Sequence, residues 1–307
     1  MVAATTIATN AHLAAGPDIS LCRSFTGALW PDPEATHARY VQLMPTISLV
    51  TASYVTRQIG FGTMEDWSEG DRATQDFFAP VDTYEQRFGD LIDDVVSLGY
   101  TTIDLWGAHL HHRWATDEHF DAARRVLGDR GVSVNSLAAW CHDLDALEGF
   151  CRVANEVGSS IIAGGSPLLI SDRDNALAIL AGHGVRFAIE NHPEKTPDEV
   201  RRVIGDSEWL GSCPDTGWWA IQGYDPPTAI AELADVTLTV HLKDVDAETG
   251  KGRRPTTGAA DIPGCLAALA ASGYGGAVGV EHEPDGWDPT DDLRFARELL
   301  ARWVEAL

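Results

Sequence analysis

Short apolar and β-branched runs recur eight times along this chain, each followed by a stretch of helical periodicity, and this alternation constrains the fold more than any other feature. The runs are TISLVTASYV (46–55), TTIDLW (101–106), VSVNSLAAW (132–140), SSIIAGG (159–165), VRFAIEN (185–191), LGSCPD (210–215), VTLTVHLKD (236–244) and AVGVEHE (277–283). Between them lie amphipathic segments such as TYEQRFGDLIDDVVSLGY, DEHFDAARRVLGDRG, DLDALEGFCRVANEVG and PPTAIAELAD, several closing on a Gly that suits a helix C-terminus. Strand-helix repeats dictate parallel strands joined by right-handed crossovers, and eight of them close a barrel. A (β/α)8 TIM barrel is therefore expected, with an open doubly wound sheet as the alternative. The final segment, DPTDDLRFARELLARWVEAL, supplies the eighth helix. No linker follows residue 46, so the barrel is expected as one domain over 46–307, preceded by an N-terminal arm over 1–45 rich in Ala, Pro and Thr.

Composition narrows the partners. With 44% hydrophobic and 22% charged residues the chain can bury a large core. Its 22 Lys+Arg against 46 Asp+Glu leave a formal net charge of -24, a field that repels phosphate backbones and anionic membrane surfaces. Neither nucleic acid nor membrane is an expected partner. The five cysteines (Cys22, Cys141, Cys151, Cys213, Cys265) form no CxxC pair and are odd in number, which fits reduced thiols better than a disulfide framework or a zinc ribbon. The start, MVAATTIATNAHLAAGPD, has no positively charged region, and no run approaches the length of a membrane span. A cytoplasmic location is the expectation.

In a barrel of this kind chemistry gathers where the strands end. The pattern places Glu190 at the end of strand five, Asp215 at strand six, His241 at strand seven and Glu281 at strand eight. Three carboxylates and one imidazole from consecutive strands form a mixed oxygen and nitrogen donor set suited to one Mn²⁺, Mg²⁺ or Co²⁺ ion, which would offset their mutual repulsion. Taken singly, each residue reads more readily as a cap on the following helix or as a satisfied buried strand end; four on consecutive strands read as a site. One long connection also stands out. Residues 56–82 carry Gly60, Gly62 and Gly70 among Phe61, Trp67, Phe77 and Phe78, a composition that reads as a lid loop or as a surface excursion.

Four segments, AIENHPE (188–194), PDTG (214–217), VHLKD (240–244) and GVEHE (279–283), resemble the xylose isomerase-like, sugar phosphate isomerase/epimerase family of barrels over about residues 46–305. The resemblance implies a metal-dependent enzyme with a single Mn²⁺-type ion held by Glu190, Asp215, His241 and Glu281. It also implies that Glu190 and Glu281 flank a bound keto-sugar as catalytic residues and that the chemistry is proton transfer next to a carbonyl through an enediolate.

The departures matter as well. Many family members read Asp-Thr-Gly-His where this chain has Asp215-Thr216-Gly217-Trp218-Trp219, and epimerases of the group place an Arg beyond the strand-seven His where this chain has Asp246. Tryptophans stand at the strand ends instead: Trp106, Trp140, Trp218 and Trp219, with Trp67 and Trp114 in adjoining connections. Indole faces suit flat aryl groups and sugar C–H faces, or these residues simply plug the barrel mouth. His109, His111, His112, His142 and His192 follow strands two, three and five. Of these, His142 is the candidate general base outside the metal shell, with His109 and His192 as substrate contacts. Lys243 reads as a substrate-binding cation or as half of a structural ion pair.

Within the family the Trp-rich mouth, the long first connection and the missing His look like the catalytic α subunit of a C-deglycosylating enzyme. That likeness implies elimination from 3-oxo aryl C-glycosides, a small β subunit and an oligomeric assembly. The alternative is an isomerase or 3-epimerase for a free ketose or inosose, and a rival from another class is a metal-stabilised binding subunit without turnover. The apurinic endonuclease branch is disfavoured by the acidic field and by ligands for only one ion. GYGGAVG (273–279) precedes a strand rather than opening a helix, so it is no dinucleotide cradle.

Overall fold

Eight parallel strands are laid down in the order the repeats require. They are β1 (Thr46–Val50), β2 (Thr102–Trp106), β3 (Ser133–Ala138), β4 (Ile161–Gly164), β5 (Arg186–Glu190), β6 (Leu210–Cys213), β7 (Thr239–Leu242) and β8 (Ala277–Val280). The computed structural model describes residues 44–307, and the arm expected over 1–45 lies, but for its last two residues, outside the described residues. Neighbours run β6-β5-β4-β3-β2-β1-β8-β7. The ring is completed between β6 and β7 by the parallel bridges Ser212 to Thr237 and Asp215 to His241, reinforced by Leu238 N donating to Ser212 O at 2.8 Å. The chain is thus a (β/α)8 barrel, as the alternation dictates, and not an open sheet.

Helices fill the crossovers, among them Val81–Ser97, Asp117–Arg130, Leu144–Glu156, Arg173–His183, Pro197–Ile204, Pro226–Leu233, Ile262–Ser272 and Thr290–Glu305. Their apolar faces and the outward strand residues make one large core that includes Phe88, Leu91, Phe120, Leu147, Phe187, Ile230, Leu266 and Leu300. GYGGAVG is the helix-to-strand turn expected of it, with Gly273 at φ +69° closing the helix. Among the described residues no helix is long and apolar enough to cross a membrane, and Cys141, Cys151, Cys213 and Cys265 are free and buried.

Two expectations are corrected near the first strand. The run 46–55 is not all strand: β1 stops at Val50, and Thr51–Tyr54 form a 3-10 turn. Tertiary bonding explains it, because Thr51 Oγ1 accepts from Trp106 N at 2.8 Å and pairs with His109 Nδ1 at 3.0 Å. The connection over 56–82 is not an open loop either. Its middle is a helix of 12 residues, Trp67–Phe78, capped by Asp66, whose side chain accepts from Ser68 N. Gly70, Thr74 and Phe78, spaced four apart, form its buried face. A Cβ on Gly70 would lie 2.4 Å from Val55 O, so this glycine permits close packing and is no hinge.

The barrel interior is polar where a stable barrel usually stacks branched aliphatics. Asp104 on β2 is fully buried, and its Oδ1 accepts from Asn135 Nδ2 and from Ser136 Oγ, both at 2.6 Å. Asn135 Nδ2 also reaches Thr239 Oγ1 at 3.0 Å, so a hydrogen-bonded chord links β2 and β3 to β7. Gly279 on β8 leaves the room for it, since a Cβ there would lie 2.6 Å from Asp104 Oδ2.

Candidate metal centre and active site

Glu190 closes β5, Asp215 follows β6, His241 lies in β7 and Glu281 follows β8. The structure brings all four together: one ligand atom from each lies within 4.8 Å of the others. Neighbouring side chains do not use up these atoms. Among the described residues, Asp215 Oδ2, Glu281 Oε2 and both ring nitrogens of His241 are buried without a hydrogen-bond partner. Buried polar atoms left without partners are costly unless something else satisfies them, and a divalent cation fits a three-carboxylate, one-imidazole set.

Burial dominates the electrostatics. It pushes the Glu190 carboxyl up to about 8, helped by the charge on Glu281. Asp215 is pushed up to about 6 by burial, with Lys243 opposing and Glu281 adding to the rise. Burial alone would lower His241 and raise Glu281, yet neighbours reverse both. Cys213 and Glu281 hold His241 well above the usual imidazole range, while Lys243 and His241 hold Glu281 far below the usual carboxylate range. His241 Nδ1 stands 3.1 Å from Glu281 Oε2, an ion-pair contact that is not aligned as a hydrogen bond, and 3.8 Å from Glu190 Oε2. Without a metal, an imidazolium there supplies part of the positive charge that an ion would bring.

The motif residues around the ligands now have physical roles. Asn191 of ENHPE, which the sequence reading passed over, is fully buried and makes two bonds to Asp215: its Oδ1 accepts from Asp215 N at 2.7 Å, and its Nδ2 donates to Asp215 O at 3.1 Å. Thr216 Oγ1 donates to Lys243 O at 2.7 Å and accepts from Lys243 N at 2.9 Å, tying the end of β6 to the end of β7. A Cβ on Gly217 would meet Lys243 Cγ at 2.9 Å, so glycine lets the lysine stem pass. In HLKD the alternation of a strand sends His241 and Lys243 one way and Asp244 the other. Asp244 instead shapes the following loop, accepting from Val245 N at 3.0 Å, Gly258 N at 2.9 Å and Ala260 N at 3.1 Å.

Lys243 is an ion-paired residue at the site itself. Its Nζ donates to Glu281 Oε1 at 2.9 Å and to Glu283 Oε2 at 2.6 Å. Glu283 was not among the residues singled out from sequence, although its spacing from Glu281 repeats that of Lys243 from His241 and places both pairs on one face.

The other candidates divide into separate groups. Trp140, His192 and Trp218 form one aromatic cluster, with His192 at 3.7 Å from Trp218 and 5.0 Å from Trp140 between ring centroids. His142 stacks on Trp140 at 6.0 Å, is exposed, and does not belong to the four-residue group. Burial and the nearby Lys243 lower His192 below the usual imidazole range. Trp106 and His109 lie elsewhere. His109 is enclosed by Phe78, Trp106 and Thr51, and burial pushes it down to about 3, so it serves as a neutral hydrogen-bonded core residue rather than a free substrate contact. Trp106 is buried beside it, packed edge-to-face with Trp67. Trp219 is core, and Trp114 packs on Tyr84 and His119.

With fold and site in view, a family model described as xylose isomerase-like TIM barrel matches residues 92–303. The chain belongs to that family. Rhizopine catabolism protein MocC of Rhizobium meliloti is 29% identical over 150 residues, covering 41% of this chain and 46% of that protein. This barrel therefore spans less than half of that relative's length. Among solved structures, an L-ribulose 3-epimerase superposes with a TM-score of 0.60 at 15% identity, covering 86% of this chain and 95% of the other. The E. coli 3-keto-D-glucoside 4-epimerase gives 0.57 at 18%, covering 70% and 94%. A xylose isomerase-like TIM barrel protein from Mycobacterium smegmatis, in complex with magnesium, gives 0.56 at 19%, covering 74% and 90%. At such identities the likeness is one of fold.

Proposed function

We propose that this chain is a divalent-metal-dependent enzyme that moves a proton next to the carbonyl of a keto-sugar. One observation carries the reading: the unpartnered, buried donor atoms of Asp215, His241 and Glu281 converge with Glu190 at the functional end of a sugar isomerase-type barrel. Epimerases acting on keto-sugars share the fold, and one relative of the same fold binds magnesium. A bound Mn²⁺, Mg²⁺ or Co²⁺ supplies Lewis acidity to a carbonyl and a neighbouring hydroxyl, making the C–H beside them more acidic.

The protein's own groups do the rest. Glu190 and Glu281 enter from β5 and β8, different walls of the barrel, so one carboxylate takes the proton from carbon while the other returns one from another side. This inverts the centre in epimerisation. Lys243, buried beside Glu281, offers a hydrogen bond to developing oxyanion charge.

A second reading rests on the cluster of Trp140, His192 and Trp218. A flat apolar wall next to the ligand set favours substrates bearing an aryl group, and elimination from 3-oxo aryl C-glycosides, as the α subunit beside a small β subunit, accommodates it. His142, stacked on Trp140, then stands on the aryl side as the group that handles the leaving-group proton. The deciding experiment is turnover of free ketoses and 3-oxo glycosides by Mn²⁺-loaded protein, with and without a partner subunit. Epimerisation of a ketose without aglycone release supports the first reading, aglycone release the second, and inertness toward every keto-sugar overturns both.

A further inference from the structure

Glu283 uses its two oxygens for two different elements. Its Oε1 accepts from Trp67 Nε1 at 3.1 Å, and its Oε2 accepts from Lys243 Nζ at 2.6 Å. Lys243 continues the chain to Glu281 Oε1 at 2.9 Å. Trp67 is the first residue of the Trp67–Phe78 helix, so a line of hydrogen bonds runs from that helix, through the segment after β8 and the segment after β7, to a candidate metal ligand.

The connection is anchored at both sides. Met64 N donates to Asp285 Oδ1 at 3.0 Å, and the Trp67 ring packs against Trp106 with centroids 5.1 Å apart. Trp67 is nonetheless 42% exposed whereas Lys243 is 9% exposed, so the line leads from the surface to the buried site. Lys243 makes no hydrogen bond or ion pair to the helix among the described residues, and Glu283 alone bridges them.

The donor count matters next. An ammonium carries three donors, and Glu281 and Glu283 take two of those of Lys243. Held by one carboxylate, a lysine on a four-carbon stem would swivel; held by two, its third donor has a set direction. Glu283 does not belong to the four-residue donor group, so this position does not depend on its binding an ion.

We propose that Glu283 is a positioning residue that couples the seating of the Trp67–Phe78 helix to the placement of the Lys243 ammonium, whose third donor serves an oxygen of the substrate. Only the last clause rests on the proposed function; the coupling between Trp67 and Lys243 stands apart from it.

Hydrogen exchange over residues 61–79 in the full chain, with Mn²⁺ and without it, tests the coupling. Glu283→Gln should raise exchange there several-fold, and Lys243→Met should do the same from a residue that does not touch the segment. The double variant should add little to either single change, because both break one line. Unchanged exchange in 61–79 in both single variants overturns the coupling, whether or not any keto-sugar is turned over. If Lys243→Met fails to fold, Glu283→Gln and Trp67→Phe carry the same comparison. For the substrate clause, Trp67→Phe should lower kcat/KM on an active keto-sugar about tenfold, with no further loss from Trp67→Phe in the Glu283→Gln background. Equal, additive losses overturn that clause and leave the exchange result untouched, while a wild type inert on all keto-sugars overturns the proposed function alone.

Discussion

Asp215 divides its carboxylate between two tasks: Oδ1 accepts from Trp218 N at 2.9 Å, capping the helix Thr216–Gln222, while Oδ2 is buried with no partner among the described residues. Capping and ion binding are therefore not competing explanations of this residue. Asn caps helices about as well as Asp, so Asp215→Asn should keep the cap and remove the charge. The variant is expected to fold without metal and to lose Mn²⁺ affinity by about 10²-fold or more, since even residues that only support ligands cost 10- to 100-fold when changed. Calorimetric titration checks it. Wild-type affinity in the variant would remove Asp215 from the ligand set.

Asn191 holds Asp215 through two backbone hydrogen bonds at 2.7 and 3.1 Å. Asn191→Ala strands the buried Asp215 N–H, while Asp215 O keeps its bond from Trp219 N at 3.3 Å, so the change should cost about 1–3 kcal/mol in urea unfolding. Mn²⁺ affinity should fall by about 10- to 100-fold because the ligand loses its support. A stability loss with unchanged affinity would confine Asn191 to a purely architectural role.

The raised carboxyls give the metal-free protein a pH dependence with a definite sign. Glu190 is pushed from an ordinary 4.5 up to about 8, and Asp215 from 3.8 up to about 6. Groups with raised folded pKa values bind more protons when folded, so their stabilisation is complete below the ordinary values and is lost as pH rises through the folded ones. His241, also raised, acts in the same direction. Thermal unfolding without metal should show stability falling as pH rises from about 5 to about 8. Mn²⁺ must displace these protons, so its stabilising shift should grow over the same interval. A metal-induced shift that shrinks as pH rises would contradict this arrangement of charges.

Trp140 is 39% exposed, stacked on His142 and in contact with His192. If an aryl group packs there, Trp140→Ala should raise KM for a 3-oxo aryl glycoside roughly 3- to 10-fold, the worth of one aromatic contact, with kcat little changed. Steady-state kinetics beside a free ketose provide the comparison. An equal effect on both substrates would mean that the wall does not recognise the aryl group.

Strand ends were legible because a parallel barrel aligns them: once eight runs are counted, Glu190, Asp215, His241 and Glu281 must fall at one rim. The Trp67–Phe78 helix was legible in principle from Gly70, Thr74 and Phe78, but its glycines and aromatics masked the period. Glu283 and Asn191 were not found, because each acts by what it touches across a strand boundary rather than by its own spacing. The histidines show how little position after a strand says about surroundings. His109, His142 and His192 all follow strands, yet one is sealed in the core, one stacks at the surface and one sits between two tryptophans.

By itself the sequence determined the barrel and its four-residue donor group, since both follow from local periodicity and from the number of repeats, which closure converts into a shared rim. Tertiary structure alone decided the hydrogen-bonded support: that Asp215 keeps one oxygen free, that Lys243 is shared by Glu281 and Glu283, and that Trp67 reaches the same carboxylate. The reason is geometric. Side chains separated by up to 216 positions in the chain meet at about 3 Å only after the barrel closes, and such distances carry no periodic signal that a reading along the chain can detect.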